Sequence, residues 1–289
     1  DKARIDSTAD VVVRALHRGD ADSGGGAAAV SGGSSGAAGV DVTLFQHKTE
    51  AFISGDGFDH SAESDGLMVK AGGDVAVEAR ADVSFLSTVM GAAVGLNGVA
   101  GAGSASVVDL SLETLAYLKD VEVAGTNVAV RADNDVDGRF IVGAVAGGSV
   151  GFGASLALGL LNPEARVSLD KAIVTASNDI AVSASQRLDL GITVATAGGG
   201  AVGVAGAVSV MTADSVTQVL VSGDSELNAG NDVLLEASTT TLVNERSGPA
   251  GYLQGVGAAA VGAAGFGASV DVMVLREQTR VSVADGAQI

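Results

Sequence analysis

One stretch decides how this chain folds: AGGDVAVEA, at residues 71–79, which recurs with small changes along the sequence. A shorter version stands at 10–15 (DVVVRA), and further full versions stand at 124–132 (AGTNVAVRA), 176–184 (ASNDIAVSA) and 229–237 (AGNDVLLEA). The Asp or Asn before each apolar alternation is the anchor of its unit, at positions 10, 74, 127, 179 and 232, so successive anchors are 64, 53, 52 and 53 residues apart. This spacing predicts a single repeat array over 1–289, with about five units of roughly 53 residues.

Each unit contains three blocks. The opening Gly and Asp/Asn suit a tight turn, and the alternation of Val75, Val77 and Ala79 predicts a half-buried strand. A Gly/Ala-rich block follows about 20–30 residues later, at 101–106, 151–156, 203–208 and 265–270, with a looser version at 24–40. Its small residues leave a strand face nearly bare, so another layer can approach closely. A third block, at 165–170 and 217–222, alternates again.

The composition favours many thin layers over one thick core. Hydrophobic residues make up 47% of the chain, but aromatic residues only 3%, and glycine occurs 42 times. Large aromatic side chains normally supply much of a compact core. We therefore predict an all-β repeat solenoid, first as a right-handed parallel β-helix with two or three coils per unit, and alternatively as tandem small β-sandwich modules. Both ends fall at nearly the same phase of the unit, and we expect the array to continue beyond them or through head-to-tail contact between copies.

Four windows without charge admit a rival interpretation as membrane helices. They span 83–108, 140–163, 190–213 and 247–270, and each is long enough to cross a bilayer. The windows are poor in Leu, Ile and Phe, lack flanking Lys/Arg clusters, and run directly into period-2 valine patterns. Strands are therefore favoured, and a membrane is not an expected partner.

The charge limits the partners further. The chain carries 34 acidic and 16 basic residues, for a net charge of −18. Such an acidic chain is poorly suited to nucleic acid or an anionic membrane. Cysteine is absent, which excludes thiol nucleophiles. No cofactor is required by any motif, and divalent cations remain compatible with the charge.

A weak calcium site is predicted at Asp133, Asp135 and Asp137, because DNDVDG at 133–138 matches the first half of a calcium loop. Ala144 stands where the closing Glu would be, and the alternative is a solvated acidic turn between strands.

The longer first interval, with 11 extra residues, points to a loop insertion at 45–66. This segment holds Phe45, His47, Phe52, Phe58 and His60, and is the candidate binding loop. The triplet at 18–20 (RGD) is of the integrin-binding type, but three-residue motifs often arise by chance, and an ordinary polar turn is the favoured interpretation. The histidines are scattered and form no recognisable catalytic constellation.

The repeated turn-and-strand blocks joined to Gly-Ala-Ser runs resemble the repeat regions of large bacterial filamentous adhesins, of the filamentous-haemagglutinin-like and leukotoxin types. The resemblance covers nearly the whole chain. It implies an exported, β-helical, rod-like surface protein used in adhesion or in a biofilm matrix, and it carries over no functional residues.

The expected function is therefore a non-enzymatic structural or adhesive element, located extracellularly or on the bacterial cell surface. It would act by β-stacking and end-to-end self-association, with host or neighbouring-cell glycans or proteins as further partners. The alternatives are a polysaccharide-acting β-helix enzyme and a Gly-rich membrane-embedded protein.

Overall fold

The computed structural model describes residues 4–55, 67–243 and 255–289. Over these ranges the regular structure is entirely β, and twelve strands join in parallel as one sheet. The strands are β1 (Arg4–Ser7), β2 (Val11–Ser31), β3 (Ser35–Ser54), β4 (Leu67–Ala71), β5 (Val75–Gly125), β6 (Val128–Ala176), β7 (Ile180–Gly199), β8 (Val202–Ser222), β9 (Glu226–Ala229), β10 (Val233–Val243), β11 (Gly255–Val261) and β12 (Ala264–Val283). The predicted all-β solenoid is confirmed, and the hand of its coil stays a prediction.

Each repeat unit forms one complete coil. Val75 at the start of β5 pairs with Val128, and Gly125 at its end pairs with Ala176, so β5 runs beside β6 over nearly its full length. The prediction of two or three coils per unit is wrong, because the chain bends within long strands without the turns that the prediction assumed. The alternative of separate sandwich modules is also wrong, because strands pair with the next repeat. We number the coils 1 (11–74), 2 (75–127), 3 (128–179), 4 (180–232) and 5 (233–289).

The coil is flattened, with two arms folded face to face. In coil 2 the outgoing arm (75–95) leads to a tip at 96–98, and the return arm (99–119) leads back to the base (120–127), where the next coil begins. The Oγ atoms of Ser87 and Ser106, on opposite arms, lie 2.6 Å apart. At the corner between the return arm and the base, Asp120, Lys171 and Asp224 have positive φ values of 49°, 51° and 59° and turn the chain.

Three apolar clusters fill the space between the arms, and they become thinner toward the tip. The basal cluster contains Val77, Leu118 and Val130, all at most 1% exposed. In the middle cluster Phe85 and Phe140 pack edge to face with centroids 5.5 Å apart. The cluster nearest the tip consists of Ala93, Ala100, Ala102, Ala144 and Ala146. The arms therefore converge from the base to the tip.

At the tip the two backbones approach each other without side chains between them. A Cβ added to Gly153 would lie 2.7 Å from the Ala197 carbonyl oxygen, and one added to Gly203 would lie 2.6 Å from that of Gly198. Both distances are too short for a real Cβ atom, so only glycine fits. The Gly/Ala-rich blocks thus bring strand layers together as the sequence indicated, and they explain how the fold manages with few large side chains.

Polar side chains are also buried between the arms, and most of them bond to one another. The Thr114 hydroxyl contacts the Asn134 amide oxygen, and Gln186 Nε2 donates to Ser215 Oγ at 2.6 Å. Nearer the tip, Ser155 Oγ accepts from the hydroxyls of Ser104 (3.0 Å) and Thr196 (2.6 Å). The Ser104–Ser155 bond links the return arms of neighbouring coils, whereas the other three bonds cross between the arms. The crossing bonds restrict the relative register of the arms, because sliding would leave buried polar groups unpaired.

The charge-free windows form the tip halves of the coils. Residues 83–108 lie in β5, 140–163 lie in β6, and 190–213 lie almost wholly in β7 and β8. The helical interpretation of these three windows is therefore wrong, and the described part of 247–270 is also largely strand. Among the described residues, no helix is long and apolar enough to cross a membrane.

The residue offset between paired strands changes at two places, which marks two insertions. Phe45 to Ser54 belong to β3 and pair with Leu110 to Lys119, so this part of the predicted insertion 45–66 is regular strand rather than loop. Residues 56–66, including Phe58 and His60, lie outside the described residues. A second insertion was missed: the pairing offset to coil 4 rises from 53 residues at Val243 to 62 at Gly255.

Candidate functional site

The anchor residues form a ladder along the base of the solenoid. Asp74 N donates to Asp10 Oδ1 at 2.8 Å, and Asn127 N donates to Asp74 Oδ1 at 3.1 Å. The backbone N–H of Asp179 donates in turn to Asn127 Oδ1 at 3.3 Å, and that of Asp232 to Asp179 Oδ1 at 3.2 Å. Each anchor side chain thus accepts from the turn of the next coil. Only a short side chain with an oxygen at this position makes that bond, so the recurring Asp/Asn is structural.

The outer face of the outgoing arms carries most of the charge that sequence analysis singled out. We call it the charged stripe, and it comprises Arg18, Asp20, Arg80, Asp82, Asp133, Asp135, Asp137, Arg139, Arg187 and Asp189. These side chains point outward at alternate positions of strands in coils 1 to 4. Its shallow groove is lined by residues of both signs.

The predicted calcium residues lie in this stripe, but not in a loop. Asp133, Asp135 and Asp137 stand on one face of β6, within continuous strand. Carboxylates at alternate strand positions are about 6.6 Å apart, too far for three in a row to reach one ion at about 2.4 Å. The predicted loop and the alternative acidic turn are therefore both wrong, because the three aspartates lie in a strand.

Each of these aspartates instead has a neighbour of its own. Ser185 Oγ donates to Asp133 at 2.5 Å, Arg139 Nε lies 3.4 Å from Asp137, and Arg187 Nε lies 3.9 Å from Asp135. Within the described ranges, no group of three or more His, Cys, Asp or Glu side chains could hold a metal ion. Calcium binding stays a prediction that nothing in this geometry strengthens.

The triplet at 18–20 also lies in strand, within β2, rather than in a loop or turn. Arg18 Nε is 3.7 Å from Asp82, and Ser84 Oγ donates to Asp20 at 2.5 Å. Gly19 points inward, where an added Cβ would lie 2.9 Å from the His17 ring. A flat strand of this kind does not present the triplet as a projecting tip.

Two of the three histidines meet inside coil 1. The rings of His17 and His47 stack with centroids 3.3 Å apart, and Phe45 packs beside His17 at 6.2 Å. His17 Nε2 is buried without a hydrogen-bond partner among the described residues. Burial lowers the pKa of His17, and the neighbouring His47 lowers it further. The neutral imidazole of His17 is therefore favoured, and among the described residues neither ring bonds to a carboxylate, as a catalytic dyad would require.

An aromatic pair, with Phe52 exposed and Tyr117 half-buried, lies on the other side of the same coils. Phe52 and Tyr117 stack in parallel on the outer face of the return arms, with centroids 4.8 Å apart. Burial raises the pKa of Tyr117, and Glu50 adds to the rise. Lys48 bonds to Glu50 at 2.8 Å nearby. Lys48, Glu50 and Phe52 belong to the described part of the predicted binding segment, where they combine an aromatic surface with charges.

The tip half of the same outer face is strongly apolar. We call it the apolar face, and it comprises Val40, Val42, Leu44, Ala105, Val107, Leu156, Leu158, Leu160, Val208, Val210, Val270, Val272 and Val274. Sequence analysis missed it because it considered only the bare strand face that the small residues of the Gly/Ala-rich blocks leave. In these strands both the odd-numbered and the even-numbered positions are apolar. Only one of the two sets can point inward, so the other must lie on the outer face, and this signal was present in the sequence.

Comparisons with protein-family models, with curated proteins and with solved structures found no match.

Proposed function

We propose that this chain is a non-enzymatic structural or adhesive element of an extracellular bacterial filament or surface adhesin, which extends by coil-on-coil β-stacking. The observation that carries the proposal is the constant cross-section of the array. Each coil matches the next almost residue for residue, over 20 paired positions between β8 and β12. A further coil, from the same polypeptide or another copy, would find the same complementary surface.

The end coils are suited to receive such a neighbour. Val77, Val130 and Val182 of the inner coils are 0–1% exposed. Their equivalents Val13 in coil 1 and Leu235 in coil 5 are only half-buried. Stacking another coil would remove this apolar surface from water, the interaction between neighbours that stabilises repeat arrays.

The dimensions favour surface presentation over reach. Strands stack about 4.8 Å apart, whereas an arm of about 20 residues extends for roughly 65 Å. Five coils therefore make a blade about 24 Å along the axis and far wider across it. Each repeat of the chain lengthens the array by only one strand spacing. The fold is therefore poorly suited to building a long fibre from few residues, and well suited to building broad faces. Adhesive contact with glycans or proteins would use those faces, which include the exposed Phe52 and the half-buried Tyr117 stacked against it.

End-to-end stacking can be tested at one backbone position. Val11 N donates to Asp74 O at 2.8 Å, so the peptide groups of Val11 point to coil 2. Successive residues of a parallel strand point to opposite sides, so the N–H of Leu16 points away from coil 2. Leu16→Pro removes that donor, whereas Leu16→Ala shortens the same exposed side chain and keeps it.

Electron microscopy and light scattering of the three proteins would measure assembly length. The proposal predicts axial stacks for the parent chain and Leu16→Ala, and predominantly single blades for Leu16→Pro. Stacks of equal length in Leu16→Pro, or single blades for all three, would reject end-to-end assembly. Circular dichroism confirms that the variants keep the β fold.

A further inference from the structure

The apolar face is unusual for a sheet surface in contact with water. Of the 15 outward positions in its three columns, only Asp109 and Thr212 are not aliphatic. The exposure is not confined to the end coils, because Leu160 in the central coil is 49% exposed. Large contiguous apolar patches are rare on soluble monomers, and parallel sheets are normally covered on both faces.

The size of the face matches a stable protein interface. The two neighbouring columns toward the tip carry Phe152, Val204 and Phe266 among glycines and alanines, and they extend the apolar surface to a width of nine residues. Five coils spaced about 4.8 Å apart, crossed by these nine residues that rise about 3.3 Å each, give roughly 700 Å². Stable complexes bury about 800 Å² on each partner. A longer array would enlarge the face by the same amount per coil. The area therefore suffices for a sheet-to-sheet contact rather than for a small ligand.

The charges beside the apolar face do not oppose contact between identical copies. The base half of the return arms carries five cationic and five anionic outward side chains: Lys48, Lys119, Arg166, Arg276 and Arg280, with Glu50, Glu113, Glu164, Asp170 and Asp214. The chain as a whole has a net charge of −18. Asp109 within the apolar face adds a sixth anionic side chain, so the outer face of the return arms carries five positive and six negative charges. Two copies can therefore approach through it with far less repulsion than the whole charge would cause.

We propose that the apolar face packs against the same face of a second copy, so that two blades pair side by side. A two-fold arrangement brings flat Val/Leu surfaces together in the way that sheets of a β-sandwich pack, about 10 Å apart and with strands crossing at about 30°. This contact is perpendicular to coil stacking and does not depend on it. If coils also stack along the axis, the face-to-face pairing would produce a bundle of stacks. If they do not stack, the pairing alone would produce a closed dimer.

Cysteine cross-linking tests the geometry, because the chain has no cysteine of its own. Leu158 is the central residue of the apolar face, so Leu158→Cys would lie near the two-fold axis. Val145→Cys is the matched control, since Val145 lies in the same coil, on the opposite outer face, and is 57% exposed. We expect disulfide-linked dimers to form at least about tenfold faster in Leu158→Cys. Equal rates would overturn the proposal.

A second measurement tests the energetics in the absence of axial stacking. In the Leu16→Pro background, sedimentation should show a dimer whose dissociation constant rises at least about tenfold in Leu160→Lys, because the new charge is buried. Val145→Lys should leave it unchanged. A parent that stays monomeric at its highest soluble concentration would overturn the pairing. The pairing would also be overturned by a monomer that floats with neutral phosphatidylcholine vesicles and loses this vesicle binding in Leu160→Lys. The apolar face would then bind lipid rather than a second copy. Neither result depends on whether stacks form.

Discussion

The base half and the tip half of each coil use the same alternating pattern in opposite ways. At the base, Val, Leu and Ile point inward and charged side chains point outward, as in an ordinary half-exposed sheet. At the tip, glycine and alanine point inward, and on the return arm Val and Leu point outward. The tip is therefore held by hydrogen bonds between coils and by close backbone contact, and its apolar side chains remain available to a partner. The following variants test this division between base and tip, in order of decreasing effect on stability.

The largest effect is expected at the bare interior of the tip. Gly153→Leu must place a side chain where a Cβ alone would meet the Ala197 carbonyl, so the arms must separate. We expect a loss of about 3 kcal/mol or more in the free energy of unfolding, measured by urea denaturation. Gly206→Leu is the control, because a Cβ there meets nothing within 4 Å. Equal destabilisation by both would disprove close packing at the tip.

The base should respond in the opposite sense, to loss of volume. Leu118 is completely buried in the basal cluster, so Leu118→Ala leaves a cavity and should cost about 3 kcal/mol. Ala144→Gly, in the tip cluster, removes a single methyl group and should cost about 1 kcal/mol. Urea denaturation of both variants gives the comparison. A tip variant as damaging as the base variant would mean that the tip interior contributes more apolar packing than its geometry indicates.

The anchor ladder should contribute less than the basal core. Asn127→Ala removes the acceptor for the Asp179 N–H and the donor to Asp74, and should cost about 1–2 kcal/mol. Asn127→Asp retains the acceptor and should cost less. Thermal unfolding of the two variants compares their stabilities. An Asn127→Ala protein as stable as the parent would show that the ladder does not contribute to stability.

A smaller, pH-dependent effect is expected from His17. Its pKa is lowered in the folded chain from the ordinary 6.5, because burial and the facing His47 disfavour its charged form. The unfolded chain therefore binds the proton first. The folded state bears no penalty above pH 6.5 and loses stability as the pH falls below 6.5 toward the lowered value.

His17→Asn isolates this effect, since Asn134 occupies the same column in coil 3. The stability difference between pH about 7.5 and about 5.5 should be smaller in the variant than in the parent. An unchanged difference would show that the His17–His47 pair does not respond to pH.

The smallest effect is expected from calcium. Because Asp135 and its neighbours lie along a straight strand beside arginines, Ca²⁺ should change the melting temperature no more than Mg²⁺ does. A calcium-specific rise that is lost in Asp135→Asn and on chelation would establish the site that the DNDVDG motif suggested.

The sequence predicted what depends on alternation and turn chemistry, and missed what depends on the third dimension. The anchors and the Gly/Ala blocks mark real structural positions, because an Asp/Asn turn and a bare strand face each need particular residues. The number of coils per unit was missed because strands of about five residues were assumed. β5 instead continues for 51 residues, bending without Gly/Pro turns at fixed intervals.

The candidate site was predicted less well for a related reason. Acidic residues at Asp133, Asp135 and Asp137 fit a loop motif by spacing, but the same spacing puts them on one face of a strand. The apolar face could not be separated from the core, because apolar residues on both parities are also typical of a strand buried on both sides. Whether the odd-numbered or the even-numbered residues of a strand point inward depends on where the opposing arm packs.

The central claim is that one repeat makes one coil, and a single designed disulfide tests it most directly. Arg131 and Ser183 are 52 residues apart and face each other across adjacent strands β6 and β7, both pointing outward. If each repeat is one coil, the double variant Arg131→Cys with Ser183→Cys should form an intramolecular disulfide in the monomer under mild oxidation. With two or three coils per repeat, the two positions would be about 10–14 Å apart, and no such bond could form without disrupting the fold. Failure of this pair to cross-link in the folded chain would contradict the account.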